Sequence, residues 1–466
     1  MNRITQAGLV ILSILVFGYV GLGHVLGKTG DEKAYHSLIV YGEVLQKIQQ
    51  DYVDEPNMHQ VTAGSLHGLL ESLDAQSSYL TPREYAEYKQ KMENPAGGEI
   101  GVTLTKRYGY IVVLSVLPES AAHKAGLHSG DILEAIGGFT TRNMSVGQAM
   151  NLLAGAAGTG IKLAVISGGR TAPQEMEIVR EKLVPQKMQS AKFEPDTLVL
   201  RLPSLNAGRA AEVRERLAQA EKQGIRKVIV DVRDCGRGEV PEAVALARLF
   251  LSSGTVAALE GQTVSKQVLA AEPAQVAWKH AVSVLISTTT SGAAEVFASA
   301  MVSNHRGDVV GERSYGLASE QKLIPLEDGA AVILTVANYI GPEGKPILEQ
   351  GVTPTEVVRA AATAAASEDV GEDEESGEPA AAAKEAPAAP QPAPLGPRNS
   401  RTTASSTPAS PRSQAIVEAL ARVANFPEDN SVKVAAARPG LGCARRRSPG
   451  RGLQERGGAA SRCAGA

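Results

Sequence analysis

The sequence predicts a multidomain protein of mixed α+β and α/β class, with a disordered C-terminal tail. Apolar residues recur at helical spacing over residues 35–93. Short β runs separated by glycine turns follow to about residue 180, and strands then alternate with amphipathic helices over residues 187–357. Beyond residue 358 the composition turns to Ala, Pro, Glu and Ser, which cannot bury enough apolar surface to offset chain entropy.

Length, charge and cysteine content set broad limits. The 466 residues suffice for two or three domains, and a formal net charge of −3 argues neither for nor against a charged partner. We expect no nucleic-acid partner. Three cysteines, Cys235, Cys443 and Cys463, form an odd number without metal-ligand spacing. The sequence thus predicts neither a disulfide framework nor a metal site, and nothing in it indicates a cofactor.

The N-terminus predicts a membrane anchor. Arg3 precedes an almost uncharged apolar run over residues 7–26, which is long enough to cross a bilayer as a helix. Because no clear small-x-small cleavage site ends this run, we favour an uncleaved signal anchor at residues 1–28, and a cleaved signal peptide is the alternative. Arg3 would stay inside, which places the main domains outside a bacterial cytoplasmic membrane, in the periplasm or extracytoplasmic space.

Residues 29–96 are predicted to form an N-terminal helical segment. Within it, residues 73–82 are predicted to be a helix end and a turn, with Pro82 as the breaker. Residues 97–182 are predicted to form a β-rich domain. Its strands are interrupted by a small-residue helix that ends at a glycine, by a Gly-Asp turn and by a later helix over residues 145–153.

The order of these elements, together with the motif Ala-Gly-Leu-x-x-Gly-Asp-Ile at residues 125–132, resembles a PDZ domain. PDZ domains bind an extended chain end by strand addition, and the backbone N–H groups of one loop capture its carboxylate. The resemblance implies that the peptide-binding loop here is Gly98, Glu99, Ile100 and Gly101. A PDZ domain that only packs against its own chain as a lid is the alternative.

The α/β core is predicted over residues 183–358. In it, a buried apolar run at residues 281–286 ends in small polar residues, and a helix starts at once near Ala293. Hydrolases often present a nucleophile at such a strand–turn–helix junction, with a backbone N–H beside it. A second strand at residues 309–311 leads into a glycine loop.

Together these two segments resemble the carboxy-terminal processing (tail-specific) serine peptidases, which use a Ser–Lys dyad. In that family the first segment is Gly-Ser-Ala-Ser-Ala-x-Glu and the second is Gly-Glu-x-x-x-Gly-Lys-Gly-x-x-Gln. Matching Glu295 places Gly292 at the nucleophile, and matching Gly311, Glu312 and Gln321 places Leu317 at the general base. These positions lie 25 residues apart (292 to 317), which is the family's spacing. Neither residue can perform the chemistry.

The resemblance also implies a core of the ClpP/crotonase-like kind and an oxyanion loop. Asp231, Val232, Arg233 and Gly238 retain part of the family's Asp-Leu-Arg-x-Asn-x-Gly-Gly element. On this basis Gly236, Gly238 and Ala293 are the candidate oxyanion-loop residues. Cys235 and Arg237 replace residues whose small size lets a substrate carbonyl approach. We do not assign Cys235 as a nucleophile, because no histidine lies near it in sequence.

Two functions remain open. The first is a catalytically inactive, membrane-anchored adaptor that binds polypeptide C-termini or unfolded proteins, or that pairs with an active peptidase relative. The second is a serine-type endopeptidase with a relocated dyad of Ser291 and Lys322. One step along a helix turns a side chain by about 100°, so Ser291 would point away from the family's line of attack. Its alternative role is to cap the helix that follows.

The tail over residues 359–466 is predicted to be mostly disordered. Its last 29 residues carry seven arginines and one glutamate. Such a segment is able to touch anionic lipid or acidic partners. We favour the other interpretation, that this segment is out-of-frame sequence without a role.

Overall fold

The computed structural model describes residues 32–93, 97–184 and 186–358. The predicted anchor at residues 1–28 and the predicted disordered tail at residues 359–466 lie outside these residues. Among the residues that are described, no helix combines the length and apolar content needed to cross a membrane.

The N-terminal segment is helical, as predicted, but it also contributes a strand. Its elements are α1 (Glu32–Asp51), α2 (Met58–Glu71), β1 (Ser78–Leu80) and α3 (Pro82–Glu93). The prediction of a plain turn at residues 73–82 was wrong, because Ser78 to Leu80 pair antiparallel with residues 331–333. Pro82 begins α3 rather than ending a helix, since its missing N–H has no partner to lose in the first turn.

The next domain is built around an antiparallel sheet. Its elements are β2 (Gly97–Gly98), β3 (Val102–Arg107), β4 (Tyr110–Val116), α4 (Ala121–Lys124), β5 (Ile132–Ile136), β6 (Phe139–Thr140), α5 (Val146–Leu153), β7 (Gly155–Ala156), β8 (Gly160–Ile166) and β9 (Gln174–Val179). The sheet order is β3-β4-β5-β8-β9, with β6 beside β5, and β2 pairs separately with β7. Ser145 starts α5 through a reciprocal capping box with Gln148.

The core domain consists of two sheets and the helices between the strands. Its elements are β10 (Gln189–Glu194), β11 (Thr197–Arg201), α6 (Arg209–Lys222), β12 (Lys227–Asp231), α7 (Val240–Arg248), β13 (Thr255–Glu260), β14 (Gln267–Ala270), a 3₁₀ turn (Pro273–Gln275), β15 (Ala281–Ile286), α8 (Ala293–Ser303), β16 (Asp308–Gly311), β17 (Ser319–Pro325), β18 (Ala331–Ile340) and β19 (Glu356–Val357).

The two core sheets enclose α7 and α8. One has the order β10-β11-β12-β15-β16-β19 and is parallel from β11 onward. Parallel neighbours in sequential order place their crossover helices on the same face. The other sheet, β1-β18-β13-β14 with β17 beside β18, is antiparallel. Helices α7 and α8 contact each other and β13, and buried side chains such as Phe250, Phe297 and Trp278 fill this layer.

The parallel sheet positions the candidate site. Strands β12 and β15 lie side by side with Asp231 opposite Leu285. Their C-terminal ends therefore open into two adjacent loops, residues 232–239 and 287–292. Ligand sites in parallel sheets form at this edge.

Gly101 shows how tightly the β-rich domain is built before β3. Its φ is +84°, and a Cβ added there would lie 2.3 Å from Ser120 Cβ. Gly126 has nearly the same φ, +82°, but open space around the added atom. We expect Gly126→Ala to cost about 1 kcal/mol of stability through backbone strain alone, and Gly101→Ala to cost about 1–3 kcal/mol more through overpacking.

Urea unfolding followed by circular dichroism measures both variants, with Gly126→Ala as the matched control. Equal losses of stability in the two variants would contradict the packing of Gly101 against Ser120.

Candidate functional site

The turn between β15 and α8 ends at Gly292. Its backbone has φ 63° and ψ −122°, a combination that residues with a side chain adopt only under strain. A Cβ added to Gly292 would find no neighbouring heavy atom within 4 Å. The position therefore has room for a side chain that this protein does not carry.

The carboxyl group of Glu295 fastens this turn to the loop after β16. Glu295 is fully buried. Its Oε2 accepts hydrogen bonds from the backbone N–H groups of Gly292 and Leu317, both at 2.8 Å. Its Oε1 accepts from the Ser314 hydroxyl at 2.6 Å and from the Gly316 N–H at 2.5 Å. Burial raises the pKa of Glu295, and the four donated hydrogen bonds oppose that shift.

Glu295 Oε2 thus joins Gly292 and Leu317. The family resemblance places the nucleophile and the general base at these two positions. Gly292 has no side chain, and Leu317 offers only hydrocarbon. Leu317 is half-buried and lines a cavity of about 290 Å³ beside Gln76, Arg107 and Tyr315. The arrangement brings the positions together without a group that can attack a carbonyl or accept a proton there.

Ser291 lies at the same turn but is enclosed. It is 2% exposed, and its Oγ has no hydrogen-bond partner. Its N–H donates to the Cys235 carbonyl at 3.2 Å. The helix cap is Gly292, whose N–H is bound by Glu295. The prediction that Ser291 caps α8 was therefore wrong, because Gly292 is the cap residue and the Ser291 Oγ accepts no hydrogen bond from the helix.

Lys322 lies elsewhere. It is exposed on β17, opposite Leu334 of β18, in the antiparallel sheet. Within the described part of the chain, no hydrogen bond joins Lys322 to Ser291, whose hydroxyl is unpaired. The structure places both candidate dyad residues on described elements but does not bring them together.

The loop after β12 contains the candidate oxyanion residues. Gly236 donates its N–H to the Asp234 carbonyl at 3.1 Å, so this donor is occupied within the loop. A Cβ on Gly236 would lie 2.2 Å from Ser115 Oγ and 3.2 Å from Ser291 Oγ. Gly238 lies against Leu205, and Ala293 is buried as the first residue of α8. The three residues line adjacent turns, and strand β4 covers Gly236.

The β-rich domain reaches this loop through its predicted peptide-binding residues. Arg237 Nη2 donates to Glu99 Oε2 at 2.8 Å and to the Val102 carbonyl at 2.9 Å. Arg237, Gly98, Glu99, Ile100 and Gly101 all line one cavity of about 630 Å³. Sequence reasoning identified both loops but did not predict their contact.

Further contacts fix β3 across the candidate site. The Thr103 hydroxyl donates to the Gly236 carbonyl at 3.3 Å, and the Thr105 hydroxyl lies 2.7 Å from the Tyr315 hydroxyl. The Arg107 guanidinium stacks over the Tyr315 ring at 5.0 Å. The β-rich domain therefore contacts the loop after β12 and the loop after β16.

Cys235 is fully buried, and burial raises its pKa to about 12. At neutral pH the thiol is protonated, and only a thiolate is a good nucleophile. We also find no group of three or more His, Cys, Asp or Glu side chains, within the described residues, that could hold a metal ion.

We expect Cys235 to resist alkylation by iodoacetamide at pH 8 in the folded protein and to react fully in urea. Peptide mass spectrometry measures the labelling, with Cys443 and Cys463 as internal comparisons. Native labelling of Cys235 at the rate of a free thiol would contradict its burial.

The Glu295 contacts predict a large stability loss for Glu295→Gln. An amide nitrogen cannot accept, so two donors lose their partner in a buried site, and we expect a cost of about 3 kcal/mol or more. Glu312→Gln is the matched control, because the carboxylate of Glu312 makes no hydrogen bond to another described residue. Urea unfolding measures both, and similar small losses would contradict the proposed role of Glu295.

Comparison with known proteins agrees with these observations. The model of peptidase family S41 matches residues 196–358, and the PDZ domain model matches residues 89–166. The carboxy-terminal-processing protease of Bartonella bacilliformis is 26% identical over 333 residues, which are 70% of this chain and 76% of the relative. The carboxy-terminal processing protease CtpA of Bacillus subtilis is 26% identical over 350 residues, 74% of each chain.

Among solved structures, the photosystem II D1 C-terminal processing protease has a TM-score of 0.57 at 22% identity. The likeness covers 69% of this chain and 92% of that one, and it shows a shared fold. The family matches confirm the resemblance and the fold class predicted from the sequence. The protein therefore contains a peptidase family S41 domain and a PDZ domain, and it is a homologue of the carboxy-terminal processing proteases.

Proposed function

We propose that this protein is a catalytically inactive homologue of the carboxy-terminal processing peptidases. One observation carries the proposal: the two positions joined at Glu295 Oε2 are Gly292 and Leu317. A Ser–Lys mechanism needs a hydroxyl and an amine at such a junction, and neither residue supplies one. The Glu295 junction is present, and the side chains at these two positions supply no reacting group.

The relocated dyad receives less support. Catalysis by Ser291 and Lys322 would require the hydroxyl to reach an amine whose pKa is lowered by burial. Ser291 is enclosed beneath the Gly236 loop, whereas Lys322 is exposed on the other sheet. A large rearrangement of β17 or of the turn would be needed to join them.

We propose that the protein acts by binding polypeptide chains. The cavity of about 630 Å³ lies between the loop at Gly98–Gly101 and helix α5, and Met150 and Leu153 line its apolar part. PDZ domains bind extended chain ends in such a groove. Polypeptide C-termini and unfolded proteins are therefore the proposed ligands, and an active peptidase relative is a further candidate partner.

The proposed location is the outer side of a bacterial cytoplasmic membrane. The apolar run at residues 7–26, with Arg3 before it, supports an anchor with the main domains outside the cytoplasm. This run lies outside the described residues, so the proposal rests on the sequence. Protease protection of the folded domains in intact and osmotically shocked cells tests it.

The test of inactivity is incubation of the full chain, purified in detergent, with an unstructured peptide that ends in an apolar residue. We expect binding without cleavage. Ser291→Ala and Lys322→Ala are assayed beside the wild type, and all three are expected to bind equally and to leave the peptide intact by mass spectrometry. Cleavage that either substitution abolishes would refute inactivity and support the relocated dyad.

A further inference from the structure

The ion pair between Arg237 and Glu99 connects two loops that have separate roles in the proposed binding function. Glu99 belongs to the loop that would capture a chain-end carboxylate, and Arg237 belongs to the loop after β12. Their side chains are 42% and 25% exposed, respectively. A pair this accessible contributes little to folding stability by itself. Stability therefore does not account for its position in the cavity.

The Arg237–Glu99 pair lines two neighbouring cavities. Glu99, Val102, Met150 and Arg237 line the cavity of about 630 Å³ and also a second one of about 500 Å³. The second cavity extends along Leu104 and Val146 to the Gly236 loop. One groove between β3 and α5 therefore passes the pair and ends at the core loop.

Backbone contacts fix Glu99 in this position. Its N–H donates to the Glu181 carbonyl, and its carbonyl accepts from the Glu181 N–H, both at 2.9 Å. The side chain then reaches Arg237. The Glu99 carboxylate thus brings a negative charge from the capture loop against Arg237 in the cavity.

We propose that Arg237 is the cation that recognises the free carboxylate of a bound polypeptide C-terminus, and that Glu99 is its built-in competitor. The inference rests on the proposed chain-binding function. An incoming carboxylate would exchange with Glu99 on Arg237, because a guanidinium prefers a carboxylate partner with charge-assisted hydrogen bonds. The ligand would lie along β3 with an apolar side chain against Leu153 and Met150.

Lys91 is the other cationic residue among the described residues that line this cavity, and its ammonium group already has hydrogen-bond partners. Its Nζ donates to the Asn151 carbonyl at 2.5 Å and to Asn151 Oδ1 at 3.0 Å. These bonds fasten α3 to the end of α5. Arg237 differs because its carboxylate partner belongs to the capture loop itself.

The exchange also has a consequence for the core loop. Arg237 holds β3 through the Val102 carbonyl as well as through Glu99. Residues 236 and 237 therefore carry both the contact with the β-rich domain and the contact with Ser291. A ligand that displaces Glu99 from Arg237 would thus bind the loop that adjoins Ser291.

The experiment measures binding of one fluorescent decapeptide in two forms, with a free C-terminal carboxylate and with a C-terminal amide. The peptide ends in an apolar residue, and the full chain is titrated while fluorescence anisotropy is recorded. We expect the free acid to bind about tenfold more tightly than the amide, as one charge-assisted hydrogen bond allows. We expect Arg237→Gln to lower this ratio to about threefold or less.

Glu99→Gln is expected to tighten binding of the free acid by about three- to tenfold and to leave the amide unchanged, because only the acid competes with Glu99. Two matched controls keep the charge changes comparable. Glu181→Gln removes the neighbouring carboxylate that pairs with Lys124, and Arg248→Gln removes a half-buried arginine that pairs with Glu272. Both controls should leave the acid-to-amide ratio unchanged.

The outcomes distinguish a failure of the role assigned to Arg237 from a failure of the proposed chain binding. Equal binding of acid and amide, unaffected by Arg237→Gln, overturns the role of Arg237 and assigns the groove to internal chain segments, while chain binding stands. Loss of both ligands in Arg237→Gln at an unchanged ratio gives Arg237 a structural role only. Absence of binding in the wild type and in Glu99→Gln overturns the proposed binding function itself.

Discussion

The buried carboxyl group of Glu295 is the interaction on which the candidate site depends. It receives hydrogen bonds from the start of α8 and from the loop after β16, which are distant in sequence. A buried carboxyl without such donors would be costly. The four hydrogen bonds therefore hold the loop after β16 against the start of α8. This constraint preserves the relative placement of Gly292 and Leu317 although neither carries a reacting group. It agrees with the proposal that the peptidase fold is retained here without peptidase activity.

A second constraint comes from the β-rich domain, which lies across the loops that Glu295 and β12 position. Arg237 and Gly236 belong to the core but contact Glu99, Thr103 and Ser115. The small residues of this family element would leave space for a substrate carbonyl, whereas Arg237 reaches into the PDZ groove. The loop after β12 thus contacts the β-rich domain, which agrees with the proposed binding role.

Much of the fold could be predicted from local sequence, but the long-range contacts could not. The helices at residues 146–153 and 209–222 follow from capping and periodicity, and the strands after residue 227 from their apolar runs. The segment at Ser78 to Leu80 becomes a strand only because β18 is beside it. Glu295 served as a motif position in the sequence, and its four donors became apparent only after folding. Likewise, Arg237 and Glu99 are 138 residues apart, and no local pattern links them.

The most direct test of the central claim restores the missing groups. Gly292→Ser combined with Leu317→Lys places a hydroxyl and an amine at the junction held by Glu295, and the open space at Gly292 limits the cost to backbone strain of about 1–3 kcal/mol. The measurement is covalent labelling of position 292 by a serine-reactive fluorophosphonate. We expect labelling in the double variant, far less with Gly292→Ser alone, and none in the wild type. A folded double variant that reacts no faster than Gly292→Ser alone would contradict the claim that Glu295 holds positions 292 and 317 where a serine and a lysine could act together.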